Sequence, residues 1–158
     1  MSRAYLSGEH QQLEWVGGSL MTVLLDSEAT EGNLFLARTQ LKAGDAAPIH
    51  VHSAEDEMFV MLSGRGVFFC GDDELVAEEG AVVYLPRDIP HGYQCQTDVD
   101  LLTMCTPAGI ERFFRAAGHD VAMPKPAGWE LTPATMAAAA GAVGLQIVGP
   151  PKVAKHGE

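Results

Sequence analysis

Residues 44–64 of this chain, GDAAPIHVHSAEDEMFVMLSG, contain most of the information about its fold and chemistry. His50 and His52 are separated by one residue, so in a strand both imidazoles lie on the same face. Glu57 opens the next apolar run, where alternation places it on the same face as Phe59. A carboxylate on an inward, apolar face is costly unless a cation receives it. The stretch therefore predicts two strands that present polar donors to one interior point.

A second stretch, residues 80–95, GAVVYLPRDIPHGYQC, adds His91 after a Pro-rich turn. Three imidazoles and one carboxylate form a mixed donor set that suits Fe(II), Ni(II), Mn(II), Cu(II), Co(II) or Zn(II). Four protein ligands leave one or two positions open on a metal that prefers five or six. An isolated His-x-His is common by chance, so the interpretation rests on the two histidines together with Glu57 and His91. We expect one divalent transition metal per chain, with room for chemistry on a bound molecule.

Composition limits the class of protein and its partners. A chain of 158 residues is the size of one domain, and 47 % hydrophobic with 20 % charged residues is typical of a soluble globular protein. Lys plus Arg number 10 against 21 for Asp plus Glu, which gives a formal charge of −11. Such an acidic surface repels phosphate backbones and anionic lipid. We therefore expect neither nucleic acid nor a membrane as a partner.

Short apolar runs separated by turn residues fill the first two thirds of the chain. The gaps between the runs are too short for crossover helices, which disfavours a parallel α/β fold. The pattern predicts an all-β, antiparallel sandwich or barrel. The predicted strands are Ser19–Leu25, Asn33–Leu41, Glu57–Leu62, Gly66–Cys70, Ala81–Leu85 and Val99–Thr106.

After Pro107 the pattern becomes helical. Apolar residues at helical spacing predict a helix over Gly109–Ala117, ended by Gly118 as a C′ glycine. Thr132 is a candidate N-cap for an Ala-rich helix that runs to Ala142. We expect one domain over residues 1–158, with these parts: a barrel core over about 12–106, a C-terminal helical extension over 107–151 that serves as a lid or a structural cap, and a flexible tail over 152–158.

The chain ends and the cysteines bear on location. The N-terminal residues show no pattern of a secretory signal, and no apolar stretch approaches 18 residues. The cysteines are three in number and lack the C-x-x-C spacing of zinc ribbons: Cys70, Cys95 and Cys105. We interpret them as buried free thiols in a reducing compartment, with the cytoplasm as the expected location.

The two stretches resemble the two signature motifs of the cupin superfamily. The first matches at every specified position, and the second matches at Gly80, Pro86 and His91. It departs at Asp88, where Gly is usual, and at Cys95, where Asn is usual. Asp tolerates the left-handed turn conformation better than most residues. Residues elsewhere, such as the closing Gly-Pro-Pro at 149–151, are similar to single-domain cupins of the quercetin 2,3-dioxygenase-like group.

The resemblance implies a small antiparallel β-barrel, the jelly-roll or double-stranded β-helix, followed by short C-terminal helices. It implies that the barrel interior holds the metal on His50, His52, Glu57 and His91. By alternation, an apolar and aromatic set points inward with these ligands, while the sequence places no Arg or Lys beside them. A phosphate or simple dicarboxylate substrate is therefore disfavoured. The expected pocket residues are Phe59, Met61, Phe68 (or its neighbour Phe69), Tyr93, Cys95 and Met104.

The leading functional hypothesis is a quercetinase-like dioxygenase that adds O2 to a phenolic or enolic substrate and cleaves a ring or C–C bond. In this hypothesis Glu57 both binds the metal and accepts the substrate's hydroxyl proton. The alternatives are a metal-dependent isomerase, cyclase or lyase of natural-product type, and a non-catalytic cupin that binds a small molecule. Outward-facing Met58, Val60 and Leu62 leave an apolar sheet face, from which we expect a homodimer.

Overall fold

Two antiparallel sheets form the protein in a computed structural model that describes residues 4–6 and 8–155. The strands are β1 (Gln12–Glu14), β2 (Leu20–Leu25), β3 (Phe35–Leu41), β4 (Pro48–His52), β5 (Asp56–Ser63), β6 (Arg65–Cys70), β7 (Asp73–Glu78), β8 (Val82–Leu85), β9 (His91–Cys95), β10 (Val99–Thr106), β11 (His119–Asp120) and β12 (Leu145–Pro151). The helices are α1 (Glu111–Ala117) and α2 (Pro133–Gly141), and a 3-10 turn spans Val16–Gly18.

The sheet topology confirms the predicted all-β, antiparallel class. One sheet has seven strands in the order β11-β1-β2-β3-β10-β5-β8, and the other has five in the order β12-β4-β9-β6-β7. The two sheets face each other as a jelly-roll barrel, and all six runs predicted as strands are strands. Within the described residues, neither helix has the length and apolar character needed to cross a bilayer.

Alternation along β10 shows how the sequence selects the interior. Leu101, Thr103 and Cys105 are buried, while the residues between them are half-buried on the outer face. Period-2 alternation is what a strand with one covered face requires. The buried side chains form two main clusters. One contains Phe35, Cys105 and the helix residues, and the other contains Phe59 and Met61.

Met104 is a correction to the sequence analysis, which placed it inside. In the antiparallel register Met104 pairs with Leu36 on β3 and Met58 on β5. Directly paired residues share a face of the sheet, so Met104 lies outside with the outward-facing Met58. The correct inward neighbours on β10 are Thr103 and Cys105.

Two motif positions show why their turns need particular residues. Gly64 has a φ of 89°, and a Cβ there would lie 2.2 Å from the carbonyl oxygen of Asp98. Only glycine fits that close approach. Asp88, which replaces the usual glycine, has a φ of 65°. Its backbone N–H donates to the carbonyl oxygen of His52 at 2.8 Å. Asp tolerates this left-handed conformation, and the hydrogen bond connects the turn to β4.

The C-terminal segment is only partly helical, which corrects the predicted extension over residues 107–151. α1 and α2 form, and Thr132 caps α2 through a reciprocal pair with Thr135. However, residues 145–151 form β12, which pairs with β4 because that strand otherwise has an open edge. Gly118 follows α1 with a φ of −77° and is there for close packing, since a Cβ would meet the Phe114 carbonyl at 2.9 Å.

The beginning of the predicted tail packs on the barrel, and the outer face of the seven-stranded sheet exposes apolar side chains. Ala154 donates its N–H to Gln94 Oε1 at 2.9 Å, so the beginning of the tail lies against β9. The remainder of the predicted flexible tail, residues 156–158, lies outside the described residues. On the outward face of the seven-stranded sheet, Val82 is 65 % exposed and Tyr84 is 54 % exposed.

Candidate metal centre

Strands from both sheets bring the four predicted ligands together. β4 carries His50 and His52, β5 carries Glu57 and β9 carries His91. β4 and β9 pair with His50 opposite His91, which places those rings 4.6 Å apart between centroids. One donor atom from each of the four residues lies within 4.8 Å of all the others. The chain therefore folds so that its widely spaced donors meet at one point.

Backbone carbonyls orient two of the histidines. His50 Nδ1 lies 2.7 Å from the carbonyl oxygen of Pro48, and His91 Nδ1 lies 2.9 Å from that of Ile89. In both cases the acceptor is two residues upstream, so Nδ1 carries the proton and donates. The other nitrogen, Nε2, is then left with its lone pair. This arrangement is the usual way in which proteins fix a metal-binding imidazole.

His52 is oriented by a carboxylate instead. Its Nδ1 lies 3.5 Å from Glu55 Oε2, and its Nε2 lies 3.5 Å from Glu57 Oε2. Both ring nitrogens are buried, and neither has a hydrogen-bond partner of good geometry. Glu55 is itself only 6 % exposed. A buried imidazole in this condition is costly, which indicates a site built to receive something at Nε2.

Burial and charge shift the pKa values of the cluster in different directions. Burial lowers the pKa of His50 to about 4, so this ring is neutral at neutral pH. Burial would also lower the pKa of His52, but the carboxylates of Glu55 and Glu57 outweigh it and raise the value to about 9. Burial would raise the pKa of Glu57, but its contacts with His52 and His91 hold it well below the ordinary range.

The donor set fits a divalent transition metal. Three imidazole nitrogens and a carboxylate oxygen are borderline ligands of the kind that Fe, Ni, Mn, Cu, Co and Zn accept. The orphaned nitrogens of His52 and the ionised, buried Glu57 are what a cation at this point would satisfy. The geometry does not select among these metals. When bound, such an ion supplies Lewis acidity and open coordination positions.

A cavity of about 360 Å³ opens from the cluster and lies between the two core clusters. His50, His52 and Glu57 form its polar end, while His91 is buried behind them. The rest of the wall is mainly apolar and aromatic. No Lys or Arg occurs among the described residues that line it. The volume is within the range of about 300–1,000 Å³ that is usual for small-molecule sites.

The predicted pocket residues divide into two groups. Phe59 and Tyr93 line the cavity. Met61, Phe68 and Cys95 are buried beside them in the second core cluster, where they support the wall and do not line the cavity. Phe68, and not its neighbour in the sequence, packs on Phe59 with ring centroids 5.0 Å apart. These three residues are therefore barrel core.

The sequence analysis missed a large part of the cavity wall. The missed residues come from both ends of the chain, where no motif marks them: Trp15, Met21, Ile110, Phe113, Phe114, Met136, Leu145 and Ile147. Thr39 and Thr103 were also missed. The alternation of β3 and β10 would have found the two threonines, because each stands at an inward position of its strand.

Part of the chain is similar to a known family of domains, and the barrel is similar to solved structures. Residues 37–107 match the family model described as the cupin domain, and this segment contains all four proposed ligands. This segment is therefore similar to the cupin domain, and the barrel around it has a cupin-type fold. An RmlC-like cupin from Shewanella frigidimarina superposes with a TM-score of 0.57 over 70 % of this chain and 96 % of its own, at 20 % identity.

Two further solved structures are named as enzymes. A predicted oxalate decarboxylase from Thermotoga maritima is 26 % identical, with a TM-score of 0.54 over 58 % of this chain and 82 % of its own. A nucleoside dehydratase from Streptomyces is 15 % identical, with a TM-score of 0.56 over 70 % of this chain and 87 % of its own. One barrel thus serves several chemistries, so the reaction must be argued from the site.

Proposed function

We propose that this protein is a metal-dependent cupin enzyme, and that it is a dioxygenase acting on a phenolic or enolic organic molecule. The observation that supports the proposal most is the cluster of four donors, three of which line a largely apolar cavity beside it. A cluster that leaves coordination positions open into a cavity of this kind suits a substrate that binds through oxygen at one end. Its body then lies against aromatic side chains such as Phe59 and Tyr93.

The charge of the wall supports an uncharged substrate over a dianion. A small dicarboxylate or phosphate would require Arg or Lys for binding, and the described lining residues contain neither. The net charge of −11 also disfavours anions. We therefore do not extend to this chain the substrate named for the Thermotoga maritima relative, although it shares 26 % of the aligned residues.

The proposed reaction balances without an external reductant. The substrate supplies the electrons, O2 is reduced, and both oxygen atoms enter the cleaved product. The substrate's hydroxyl proton must leave before oxidation, and we assign its transfer to Glu57, whose Oε2 faces the imidazoles of His52 and His91 at 3.5 and 3.2 Å. Contacts with His52 and His91 hold the pKa of Glu57 low, so this carboxylate would accept the proton only where those contacts loosen.

Oxygen uptake tests the proposal. The protein is purified anaerobically, its metal content is determined, and O2 consumption is followed against a panel of phenols and enols, with His50→Ala as the matched metal-free control. We expect consumption of one O2 per substrate converted, only in the metal-loaded protein. Product formation without O2 consumption would replace the dioxygenase with an isomerase, cyclase or lyase. Binding without any turnover would favour a non-catalytic cupin.

We also propose a homodimer. Met58 and Val60 are half-buried and Leu62, Val82 and Tyr84 are exposed on one face of the seven-stranded sheet. A contiguous apolar face of this kind is typical of an interface. Light scattering at micromolar concentration should give twice the chain mass of 16.8 kDa. A monomeric mass would contradict the proposal, and Val82→Glu should shift a dimer toward monomer.

A further inference from the structure

Two threonine hydroxyls form a paired, uncharged polar feature of the cavity wall away from the metal cluster, where Asp45 and Tyr93 are the other polar lining residues. Thr39 on β3 and Thr103 on β10 are 7 % and 3 % exposed, and both line the cavity. Their Oγ1 atoms lie 3.0 Å apart, so the two hydroxyls are hydrogen-bonded to each other. Their neighbours in the wall are apolar, among them Leu41, Phe59 and Leu101. Burying such a pair costs desolvation, which the single hydrogen bond between the two hydroxyls offsets only in part.

Counting the hydrogen-bond capacity of the pair shows what remains for a ligand. Each hydroxyl has one hydrogen and two lone pairs. One hydrogen lies between the two oxygens, and the second has no acceptor in any hydrogen bond among the described residues. The hydroxyl that donates within the pair keeps its lone pairs. The pair can therefore donate one hydrogen bond into the cavity and accept another, without any net charge.

The strand register places this pair at a definite distance from the metal end. Cys105 Sγ lies 3.8 Å from Glu57 Oε1, and Glu57 and Cys105 are directly paired between β5 and β10. Thr103 is the next inward residue on β10, paired with Phe59. Two residues of an antiparallel strand span about 6.8 Å. The backbone of Thr103 thus lies about 6.8 Å along the sheet from that of Cys105, the residue opposite Glu57. Thr39 is paired with Leu101 and lies further from the metal end.

We infer that Thr39 and Thr103 form a second anchor, which selects an uncharged substrate carrying a hydroxyl or carbonyl oxygen at the end remote from its metal-binding group. The inference rests on the proposed function for the first anchor, the metal. Between the anchors the apolar wall, including Phe59, accepts a ring. The substrate class is therefore a ring compound with an enolic or phenolic donor at one end and a neutral oxygen function at the other.

A matched pair of small chelators tests the second anchor. Kojic acid and allomaltol are the same neutral enolic pyranone and differ only in a hydroxymethyl in place of a methyl, across the ring from the chelating oxygens. Both are titrated calorimetrically into the Zn(II)-loaded protein, and the zinc content is measured before and after. We expect kojic acid to bind about tenfold more tightly, the value of one hydrogen bond.

Variants assign the preference to the pair. The double variant Thr39→Val with Thr103→Val removes both hydroxyls at nearly constant shape and leaves no orphaned partner, so it should fold and should lose the preference for kojic acid. Replacement of both residues by Ser keeps the hydroxyls and should restore it. Thr22→Val is the matched control, because Thr22 is a strand threonine outside the cavity wall that accepts from Gln12 Nε2. It should keep the wild-type preference.

The outcomes separate this inference from the proposed reaction. Equal affinities for the two pyranones in the wild type, or a preference that survives in the double valine variant, would overturn the second anchor. Failure of Zn(II) to bind would overturn both anchors. Zn(II) performs no redox chemistry, so the binding test is independent of oxygenase activity. A protein that discriminates the pyranones but never consumes O2 would refute the dioxygenase and leave the anchor in place.

Discussion

The two ends of the cavity are built in opposite ways. The metal end consists of four donors within 4.8 Å, on strands β4, β5 and β9. The other part of the lining consists largely of apolar side chains from α1, α2 and β12, such as Phe113 and Leu145, the latter paired with His52. The donors are costly to bury, while the wall gains free energy from burial. The residues that supply the chemistry of this barrel and those that supply its stability therefore form separate groups.

That separation has a consequence for the metal-free protein. His52 holds its ring nitrogens without good hydrogen-bond partners, and Glu57 is ionised in the interior. A metal ion at the cluster would replace the proton that His52 carries in the metal-free protein and would contact the Glu57 carboxylate, whereas the wall needs no ligand. Metal binding should therefore add stability to the folded state, and changes in the wall should act on stability without acting on the donors.

The largest effect is expected from His50→Ala. This variant removes one of the four donors that lie within 4.8 Å of one another. Metal content, measured by elemental analysis, should fall from one ion per chain to nearly none, while circular dichroism keeps its β-sheet signal. The exposed His10, changed to Ala, is the control and should retain the ion. A fully metallated His50→Ala protein would refute the assignment of the ligands.

A change of pH should weaken metal binding by about a hundredfold from pH 8 to pH 6. In the metal-free protein His52 has a pKa of about 9 and is protonated, while His50 has a pKa of about 4 and is neutral. A metal must displace the proton on His52, so its affinity falls about tenfold per pH unit below 9 and more steeply below 4. Above pH 9 the affinity should level off.

Competition with a chromophoric zinc chelator at several pH values measures this dependence. Release of about one proton per Zn(II) into a weak buffer at pH 7.5 is the independent check. An affinity that stays constant between pH 6 and pH 8 would mean that His52 is neutral before the metal arrives.

Glu55→Gln should lower the affinity for Zn(II) by about 10- to 100-fold, the usual effect of removing a carboxylate that orients a ligand histidine. Glu55 contacts the outer nitrogen of His52, the position that backbone carbonyls occupy for the other two histidines. Because Gln keeps the shape but not the charge, the fold should remain. Glu79→Gln, on an exposed turn, should leave the affinity unchanged. Equal affinities for both variants would show that Glu55 does not position His52.

The contrast between the two ends also explains what the sequence could predict. The metal end follows from local spacing: His-x-His in a strand fixes two side chains on one face, and Glu57 and His91 lie in motifs with marked turns. The antiparallel strands and helix α1 are equally predictable from the spacing of apolar residues. Such features depend on a few neighbouring residues, so one sequence is enough to find them.

The wall formed by α1, α2 and β12 depends on contacts between segments that are distant in the sequence. Residues 145–151, which include Gly-Pro-Pro, resemble a chain end in the sequence, yet they form β12 because the open edge of β4 is available to them. Met104 was misplaced for a related reason, since its face is decided by the register with Leu36 and Met58. Tertiary pairing, and not propensity, determines these positions.

The smallest effect, and the sharpest test of the separation, is expected from Leu145→Ala. Leu145 is 7 % exposed, belongs to the first core cluster and pairs with His52 across β12 and β4. Truncation should cost about 2 kcal/mol, the low end for a buried leucine, because the lost atoms border an existing cavity. For a chain of this size that corresponds to a fall of about 4–8 °C in Tm. The zinc content should remain one per chain.

Leu75→Ala is the matched control, because Leu75 is 41 % exposed on β7 and should change Tm by little. If Leu145→Ala instead lost zinc while its fold remained, β12 would be shown to hold β4 in the geometry that the histidines need. The two ends of the cavity would then be mechanically coupled through the pairing of residue 145 with His52. If zinc is kept and only Tm falls, the wall is a support for the barrel, and substrate contacts there can change without disturbing the donors.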